Sequence, residues 1–362
     1  MSSRIPVTVL GATGVVGQRF VRRLRDHPWF ELKHLAASER STGEPFSKAC
    51  EWRLDGPAHA GLGDRVLLRS HPDDVLAPIV FSALDAGPAR ELEPLFAQRG
   101  ALVFSNASAF RMEPDVPLLV PEVNPDHLDL VELQRERRGW SGAILTNPNC
   151  TTTVLVMALA PLHRAFGVEA LFMSSMQAVS GAGYPGVASL DILGNVVPHI
   201  SGEEAKVETE TCKLLGELRG SNLEQAAITV SAACHRVPVQ DGHSLAVSLR
   251  LRGAPSPDQV REVLASWRSA PQELALPSAP TVPLHVHTAN DRPQVKRDVD
   301  ADGGMSVHVG RVRPCPLLGL KFTVLGHNTE RGAAGGSILN AELALARGLI
   351  STGDGPRGSA AR

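Results

Sequence analysis

Short apolar runs alternate with helical patterns through the first 150 residues. Residues 7–10, 79–83 and 101–104 are compact, largely apolar runs bounded by turn residues, which is typical of parallel strands buried on both faces. Residues 31–37 continue this series of strands, and residues 91–99 have the pattern of a helix that covers such a sheet. The alternation predicts an N-terminal α/β domain built on a doubly wound parallel sheet.

The pattern changes after residue 150, where the extended stretches become longer. These stretches are residues 170–179, 225–233, 244–251 and 321–325, and the helical patterns between them are residues 189–200, 202–218 and 258–269. This arrangement predicts a second α+β domain with a mostly antiparallel sheet. Apolar strands of this kind suit a face that another subunit covers, so a homodimer or a homotetramer is expected.

Four segments follow from these patterns. We expect a cofactor-binding domain at residues 1–150, which a helix at residues 330–350 returns to complete. Residues 151–329 are expected to form an inserted catalytic and dimerisation domain. The Gly/Ser/Arg-rich residues 351–362 are expected to be a flexible tail.

The composition argues against several classes of protein. The 362 residues carry a net charge of -2, which argues against a nucleic-acid-binding surface. The five cysteines are widely spaced and odd in number, which argues against a disulfide framework, and no His/Cys/Asp cluster has the spacing of metal ligands. No apolar run reaches 18 residues and the N-terminus has no signal-peptide pattern, so we expect no membrane association and a reducing, cytoplasmic location.

A glycine-rich turn joins the first strand to the first helix. Gly11, Gly14 and Gly17 have the spacing GxxGxxG, a variant of the dinucleotide fingerprint GxGxxG. Gly11 permits a tight turn, Gly14 lets the backbone approach a pyrophosphate, and Gly17 lets the helix pack closely on the strand. The succession of strand, turn and helix predicts a Rossmann-type nucleotide site.

The tip of the second strand bears on which dinucleotide binds. An NAD site usually has an acidic residue there, which holds the ribose 2′-hydroxyl. Here Ser38, Arg40 and Ser41 could instead surround a 2′-phosphate. Glu39 could serve the ribose, and Arg40 could be an ordinary surface arginine, but the set favours NADP over NAD.

One cysteine lies where a nucleophile is expected. Cys150 follows an Asn-Pro-Asn turn and precedes a helical pattern at residues 151–166. At a helix N-terminus, the dipole and the free N–H groups favour thiolate over thiol, so we expect a lowered thiol pKa. The alternative is a buried cysteine that packs as a small hydrophobe.

Polar residues further along the chain could bind a substrate. Gln177 ends a strand in a glycine-rich loop, where its amide could reach a site. Glu203 and Lys206 share one face of a helix start. They could hold a substrate that has both an acid and an amine, or they could be a solvated charged turn.

Two histidines flank a bend that contains Pro and Gly. Either His235 or His243 could be a general base for Cys150, because an imidazole pKa near neutrality suits proton transfer. We prefer His243, because the charge of the adjacent Arg236 would lower the pKa of His235.

Seven stretches together carry a resemblance to one family. They are residues 11–20, 37–41, 147–151, 177–186, 202–206, 236–243 and 328–337. In this order they resemble the aspartate-β-semialdehyde dehydrogenases, more closely the archaeal and fungal branch than the common bacterial one. The resemblance implies NADPH-dependent reduction of L-aspartyl-4-phosphate to L-aspartate 4-semialdehyde and phosphate. The reaction would pass through a cysteine thioester and serve lysine, threonine and methionine biosynthesis.

The resemblance also implies a role for each matching residue. Cys150 would be the nucleophile, His243 the acid/base and Gln177 the residue that orients the reacting group. The residues implied to bind substrate are Arg236 at the α-carboxylate, Glu203 at the α-ammonium, and Lys206, Arg111 and Asn106 at the phosphate. The residues implied to line the cofactor site are Gly11, Thr13, Gly14, Val15, Val16, Gly17, Ser38, Arg40, Ser41, Ser82, Ser180, Gly181 and Asn328.

Two other functions share part of this pattern. A malonyl-CoA reductase-like acyl reductase has the same fold and nucleophile but less use for an ammonium-binding Glu203. A non-catalytic NADP-binding sensor needs the glycine-rich turn but has no need of Cys150, Gln177 and His243. The presence of both Glu203 and Arg236 favours the amino-acid substrate.

Overall fold

A six-stranded parallel sheet forms the first domain. The structure, a computed structural model, describes residues 4–220 and 222–350. The strand order β3-β2-β1-β4-β5-β6 is that of a doubly wound dinucleotide-binding fold, as the sequence predicts. The strands are β1 (Ile5–Leu10), β2 (Phe30–Ala37), β3 (Leu68–Arg69), β4 (Ile79–Ser82), β5 (Leu102–Ser105) and β6 (Ala143–Thr146).

A second six-stranded sheet forms the other domain and has the order β10-β7-β11-β14-β13-β12. Its inner pairs β7–β11, β11–β14 and β13–β14 are antiparallel, whereas the outer pairs β7–β10 and β12–β13 are parallel. Strands β8 and β9 form a separate hairpin. The strands are β7 (Val168–Gln177), β8 (Glu217–Arg219), β9 (Asn222–Glu224), β10 (Thr229–Arg236), β11 (His243–Leu251), β12 (Leu284–His287), β13 (Val307–Cys315) and β14 (Gly319–Gly326).

Helices cover both faces of the first sheet and one face of the second. The helices are α1 (Val15–Leu24), α2 (Phe46–Ala49), α3 (Pro72–Val75), α4 (Ala86–Gln98), α5 (Leu130–Arg138), α6 (Cys150–Phe166), α7 (Ser189–Ile192), α8 (Glu203–Leu214), α9 (Pro257–Ser266), α10 (Ala270–Glu273), α11 (Val295–Asp298) and α12 (Gly335–Ala346). A π-helical turn, Glu330–Ala334, leads directly into α12.

Helix α6 connects the two domains. It starts at the carboxyl edge of the first sheet, and its side chains from Val154 to Leu162 are buried in the core of the second. Because a helix that is apolar on most of its surface must be surrounded by protein, this run explains why α6 lies between the domains. Helix α12 contributes Ile338, Leu339 and Leu343 to the hydrophobic core of the first domain.

A buried ion cluster also joins distant segments. Glu330 accepts hydrogen bonds from Arg19 at 2.7 Å and Arg22 at 2.6 Å, and it also contacts Arg23. Arg19 in addition contacts Asp241 at 3.3 Å. The cluster therefore holds helix α1, the π-helical turn and the loop before β11 together.

Several predicted elements were wrong in extent or type. The helix expected over residues 189–200 ends after Ile192, because Gly194 has φ +68° and Pro198 follows. Leu190 and Leu193 in this segment are 92% and 68% exposed, so little of the described chain covers them. Strands β12 and β13 were missed, because arginines and a proline interrupt the apolar pattern of β13. The predicted tail, residues 351–362, lies outside the described residues.

Among the described residues, no helix combines the length and the apolar character that a membrane crossing requires.

Candidate active site

Cys150 is the first residue of helix α6. The side chain of Asn149 caps this helix by accepting hydrogen bonds from the backbone N–H groups of Thr151 at 2.8 Å and Thr152 at 3.1 Å. Asn149 follows strand β6 by a turn of three residues, so the parallel sheet delivers Cys150 to its carboxyl edge. This edge is where ligands bind in doubly wound folds.

The imidazole of His243 faces this cysteine. Its Nε2 lies 3.2 Å from Sγ of Cys150, and its Nδ1 accepts a hydrogen bond from the backbone N–H of Ala178 at 3.2 Å. Because a backbone N–H can only donate, this contact assigns the proton of the neutral ring to Nε2. His243 is therefore arranged to donate to the sulfur. Accepting a proton as a base would require that the contact with Ala178 be broken.

The rival histidine lies elsewhere. His235 Nδ1 is 3.2 Å from the carbonyl oxygen of Ser175 and 3.4 Å from Oγ of Ser174. Strand alternation on β10 turns its side chain away from Cys150.

The expected lowering of the thiol pKa is wrong for the protein without substrate. Burial, followed by the nearby Glu203 carboxylate, raises the pKa of Cys150 to about 12. Burial and the charge of Arg236 lower the pKa of His243 to about 3. Desolvation outweighs the helix N-terminus here, so the two groups rest as a neutral thiol and a neutral imidazole.

Arg236 and Gln177 lie side by side at the ends of β10 and β7, where the parallel register pairs them. Arg236 Nη1 donates to the carbonyl oxygen of Ala178 at 2.8 Å. The backbone of Ala178 thus holds both His243 and Arg236. The amide nitrogen of Gln177 donates to Oγ of Ser175 at 3.1 Å, so in this state Gln177 is held within its own strand.

Glu203 brings a buried carboxylate to the same site. It is 7% exposed, and its Oε1 accepts a hydrogen bond from the hydroxyl of Thr151 at 3.2 Å. Among the described residues it has no ion-pair partner, which leaves its charge available to a ligand cation. Lys206, one turn later, is half-buried and its ammonium makes no contact with another described site residue.

Arg111 and Asn106 come together near Cys150, whose sulfur the charge of Arg111 affects. Arg111 Nη2 donates to the carbonyl oxygen of Asn106 at 2.8 Å, and Nη1 pairs with Glu210 at 3.0 Å. The amide of Asn106 bonds to the Ser82 carbonyl, to Ser337 and to Asn147. The side chain of Asn106 is therefore already used in hydrogen bonds that hold the loop in place.

Two glycines give other groups close access to the reacting pair. A Cβ on Gly332, in the π-helical turn, would lie 2.7 Å from Cβ of Cys150. A Cβ on Gly181 would lie 2.8 Å from Nη1 of Arg236 and 3.2 Å from Cε1 of His243. A larger residue at either position would therefore displace a neighbour, which is Cys150 itself at Gly332 and the Arg236 side chain at Gly181.

The glycine-rich turn has the shape that a dinucleotide requires. Gly11 has φ +71°, and a Cβ there would lie 2.7 Å from the carbonyl oxygen of Ala83. A Cβ on Gly17 would lie 2.1 Å from the carbonyl oxygen of Gly11, so this glycine allows α1 to pack against the turn. Gly14 is open on its outer side. Thr13 completes the turn, and α1 begins at Val15, followed by Val16. The free N–H groups of this first helical turn lie where folds of this type bind a pyrophosphate.

At the tip of β2, Ser38 begins a short 3₁₀ turn that contains Arg40 and Ser41. Ser38 and Arg40 are exposed and Ser41 is half-buried, so this tip can reach a ligand at the sheet edge.

Two predicted cofactor residues have their side chains occupied or buried. Ser82 is fully buried, so only its backbone is near the edge. Asn328 accepts from the N–H of Gly242 at 2.8 Å and donates to Oγ of Ser180 at 2.8 Å. Asn328 therefore positions the loop before His243, and Gly181 lies next to Arg236 and His243.

The strands also bring together a histidine and aspartate cluster that spacing in the sequence does not show. One ligand atom each of His287, Asp298 and His308 lies within 4.8 Å of the others. However, the Asp298 carboxylate already forms a two-point ion pair with Arg292 and accepts from the N–H of Gln294 at 2.6 Å. These contacts give Asp298 a structural role, in which it holds Arg292 and the backbone of Gln294.

Sequence reasoning missed Glu210 and Lys213 on helix α8. They lie seven and ten residues after Glu203, on the same helical stripe, and both are 2% exposed. The sequence pattern that could have revealed them is a stripe of charged residues that continues beyond the first turn of the helix.

The geometry defines a class of protein. A dinucleotide-type turn, a cysteine–histidine pair and a carboxylate with an arginine meet between two domains, which is the site of a cysteine-dependent oxidoreductase. Residues 6–131 match the family described as semialdehyde dehydrogenase, NAD binding domain. Residues 159–331 match semialdehyde dehydrogenase, dimerisation domain.

Individual relatives narrow this class. The chain is 52% identical to the aspartate-semialdehyde dehydrogenase of Methanothermobacter thermautotrophicus, over 94% of this chain and 98% of that one. It is 52% identical to that of Archaeoglobus fulgidus, over 96% and 100%. The crystal structure of aspartate-semialdehyde dehydrogenase with NADP from Candida albicans superposes with a TM-score of 0.88 at 42% identity, over 96% and 100%. The chain belongs to the aspartate-semialdehyde dehydrogenase family.

Proposed function

We propose that this chain reduces L-aspartyl-4-phosphate to L-aspartate 4-semialdehyde and phosphate with NADPH, through a thioester on Cys150. The observation that carries the proposal is the placement of the buried carboxylate of Glu203 and of Arg236 around one cysteine–histidine pair. An amino acid offers an ammonium to the first and a carboxylate to the second. A coenzyme A thioester offers no ammonium.

The first half of the reaction is an acyl transfer. The sulfur of Cys150 attacks the acyl carbon and the bond from that carbon to the phosphate oxygen breaks. Phosphate leaves beside Arg111 and takes with it the proton that the Cys150 thiol gives up. The positive end of α6 and the Nε2–H of His243 face the charge that develops near the sulfur.

The second half is a reduction. When bound at the glycine-rich turn, the dinucleotide supplies hydride to the thioester carbon. His243 then donates its Nε2–H hydrogen bond to the sulfur, which leaves as thiolate when the carbonyl of the semialdehyde reforms. The backbone at Gly14 and the start of α1 would hold the pyrophosphate in a turn that Gly11 and Gly17 make possible, and Arg40 with Ser38 and Ser41 would hold the 2′-phosphate.

An assay that follows the absorbance of NADPH tests the proposal. Purified protein with L-aspartate 4-semialdehyde, phosphate and NADP⁺ should produce the absorbance of NADPH, and leaving out phosphate should stop it. NAD⁺ should be used much less well. Malonyl-CoA with NADPH should give no turnover. Turnover of malonyl-CoA but not of the semialdehyde would refute the assignment.

The carboxylate of Glu203 has a second expected effect, on the reactivity of Cys150. Glu203→Gln should lower the thiol pKa, because it removes the negative charge that adds to burial in raising it. Alkylation by iodoacetamide at pH 8 should therefore be faster, by about 10-fold for each unit that the thiol pKa falls. At the same time kcat/KM for the amino-acid substrate should fall on the order of 10-fold or more, because a charge-assisted hydrogen bond is lost.

Glu204→Gln is the matched control for this variant. Its carboxylate lies on the same helical turn but accepts from the backbone N–H of Cys234 at 2.9 Å. We expect no change in the alkylation of Cys150. An unchanged or slower alkylation in Glu203→Gln would show that its charge does not act on the thiol.

We further propose a homodimer formed through the open face of the second sheet. Phe172 and Met176 project from β7 on the face opposite to α6, with Ser174 between them, and are 46% and 39% exposed. Such exposure is unusual for two large apolar side chains on one face. A mass of one chain in multi-angle light scattering would contradict this.

A reducing compartment, the cytoplasm, fits the cysteines. All five are free thiols, and the mechanism needs one of them reduced. Subcellular fractionation checks this location.

A further inference from the structure

Helix α8 contacts both sides of the nucleophile through a carboxylate to which no role has been assigned. One oxygen of Glu210 accepts from Nη1 of Arg111 at 3.0 Å. The other accepts from the backbone N–H of Asn149 at 2.5 Å. Asn149 caps the helix that starts at Cys150. A single buried side chain thus joins the arginine proposed for phosphate to the backbone that carries the nucleophile.

Lys213, one turn further along α8, holds the loop of the same arginine. Its ammonium donates to the carbonyl oxygens of Arg111 at 2.7 Å, Glu113 at 2.8 Å and Val116 at 2.9 Å. All three N–H groups of the ammonium are therefore used. Side chain and backbone of Arg111 are both tied to α8, although the loop belongs to the first domain and the helix to the second.

The guanidinium of Arg111 keeps a donor for a ligand. Nη1 bonds to Glu210 and Nη2 to the carbonyl of Asn106, whereas Nε is buried without a hydrogen-bond partner in the described part of the chain. Buried polar atoms are rarely left unpaired in the working state of a protein. The charge of Arg111 also acts on the sulfur of Cys150, so this unpaired donor belongs to a cation beside the nucleophile.

The same helix also carries Glu203 at its first turn. Glu203 and Glu210 are seven residues apart, which places them two turns apart on one face. Under the proposed function, Glu203 faces the amino-acid end of the substrate, and Glu210 contacts Arg111 at the phosphate end. A shift of α8 would therefore move both ends of the site together.

We infer that Glu210 is a positioning residue for the phosphate half of the reaction, because it holds Arg111 and the peptide of Asn149 in one fixed relation. This inference rests on the proposed function. A purely structural ion pair would need the contact with Arg111 alone, and losing it would lower stability without singling out one substrate.

Glu210→Gln tests this role in the direction that consumes phosphate. The amide has the same shape but offers one acceptor oxygen, so it cannot accept from both Arg111 and Asn149. The KM for phosphate should rise about 10-fold or more, because sub-ångström misplacement of a binding group is costly. The KM values for semialdehyde and NADP⁺ should stay within about twofold. An unchanged or lower KM for phosphate would overturn the inference.

Two further variants separate the possible failures. Arg111→Lys should raise the KM for phosphate by itself. If it does not, the phosphate role of Arg111 in the proposed function fails, whereas an effect of Arg111→Lys without one of Glu210→Gln overturns only the role of Glu210. Glu342→Gln removes a fully buried carboxylate that binds His27 at 2.8 Å and Ser278 at 2.6 Å. It should lower the unfolding temperature without raising the KM for phosphate.

If Glu210→Gln is not recovered folded, Glu210→Asp is used. The shorter side chain keeps the charge but cannot span both partners, so the same selective rise in the KM for phosphate is expected. Equal rises for all three substrates would indicate a structural role and overturn the inference.

Discussion

Cys150→Ala is expected to abolish turnover while leaving the dinucleotide site intact. A thioester needs a sulfur nucleophile, and in the described part of the chain Cys150 holds the only sulfur within hydrogen-bonding distance of His243. Removing the nucleophile of a covalent mechanism lowers kcat by more than about 10⁴-fold. The NADPH-linked assay measures this loss, and quenching of tryptophan fluorescence by NADPH measures binding.

Cys315→Ala is the matched control for this change. Cys315 is also a free thiol, but it lies at the end of β13 near Ser248, far along the second sheet from the site. It should keep full activity. Normal turnover in Cys150→Ala would rule out the thioester mechanism, and loss of NADPH binding would show that the residue supports the fold.

Elements whose conformation depends on their own residues could be predicted from the sequence. The turn from Gly11 to Gly17 could be predicted because only glycine permits its positive φ and its close contacts. Residues 189–200 could not, because their apolar spacing suits a helix, while Gly194 and the solvent around Leu190 prevent one. The sequence of one segment does not show whether another element will pack on its apolar face.

The candidate site was predictable in its members but not in its electrostatics. Spacing and resemblance together point to Cys150, His243 and Arg236, and the structure brings these three within one site. The ionisation of the thiol depends on burial and on Glu203, which lies 53 residues away in the chain. The rule for a helix N-terminus considers one element only, so it gave the wrong direction for the pKa.

Glu210 shows the same limit for positioning groups. A glutamate in the middle of a helix is ordinary in sequence, and its partners Arg111 and Asn149 belong to a loop and a cap 99 and 61 residues away. Its contacts exist only because α8 packs against α6 at the domain boundary. Such residues can be found once the backbone is placed, and not before.

Gly332→Ala is expected to impair the reaction through the backbone behind the nucleophile. The added Cβ would lie 2.7 Å from Cβ and 3.0 Å from Cα of Cys150, and the neighbouring Arg331 is itself held by Glu122 in a buried ion pair. Neither side can yield without moving a packed segment, so Cys150 must shift. Misplacement of a reacting atom by about 1 Å should lower kcat on the order of 100-fold. Overpacking should also cost about 1–3 kcal/mol of unfolding free energy.

Gly87→Ala separates the steric effect from the general effect of adding a methyl group. Gly87 lies in the first turn of α4 with nothing within 4 Å of the added Cβ, so this variant should be as active as the parent and slightly more stable. Chemical denaturation measures both stabilities, and the rate of alkylation by iodoacetamide reports the environment of Cys150. Because the clash involves the nucleophile alone, kcat in Gly332→Ala should fall by far more than its loss of stability explains. Parental kcat in that variant would mean that the π-helical turn does not set the position of Cys150.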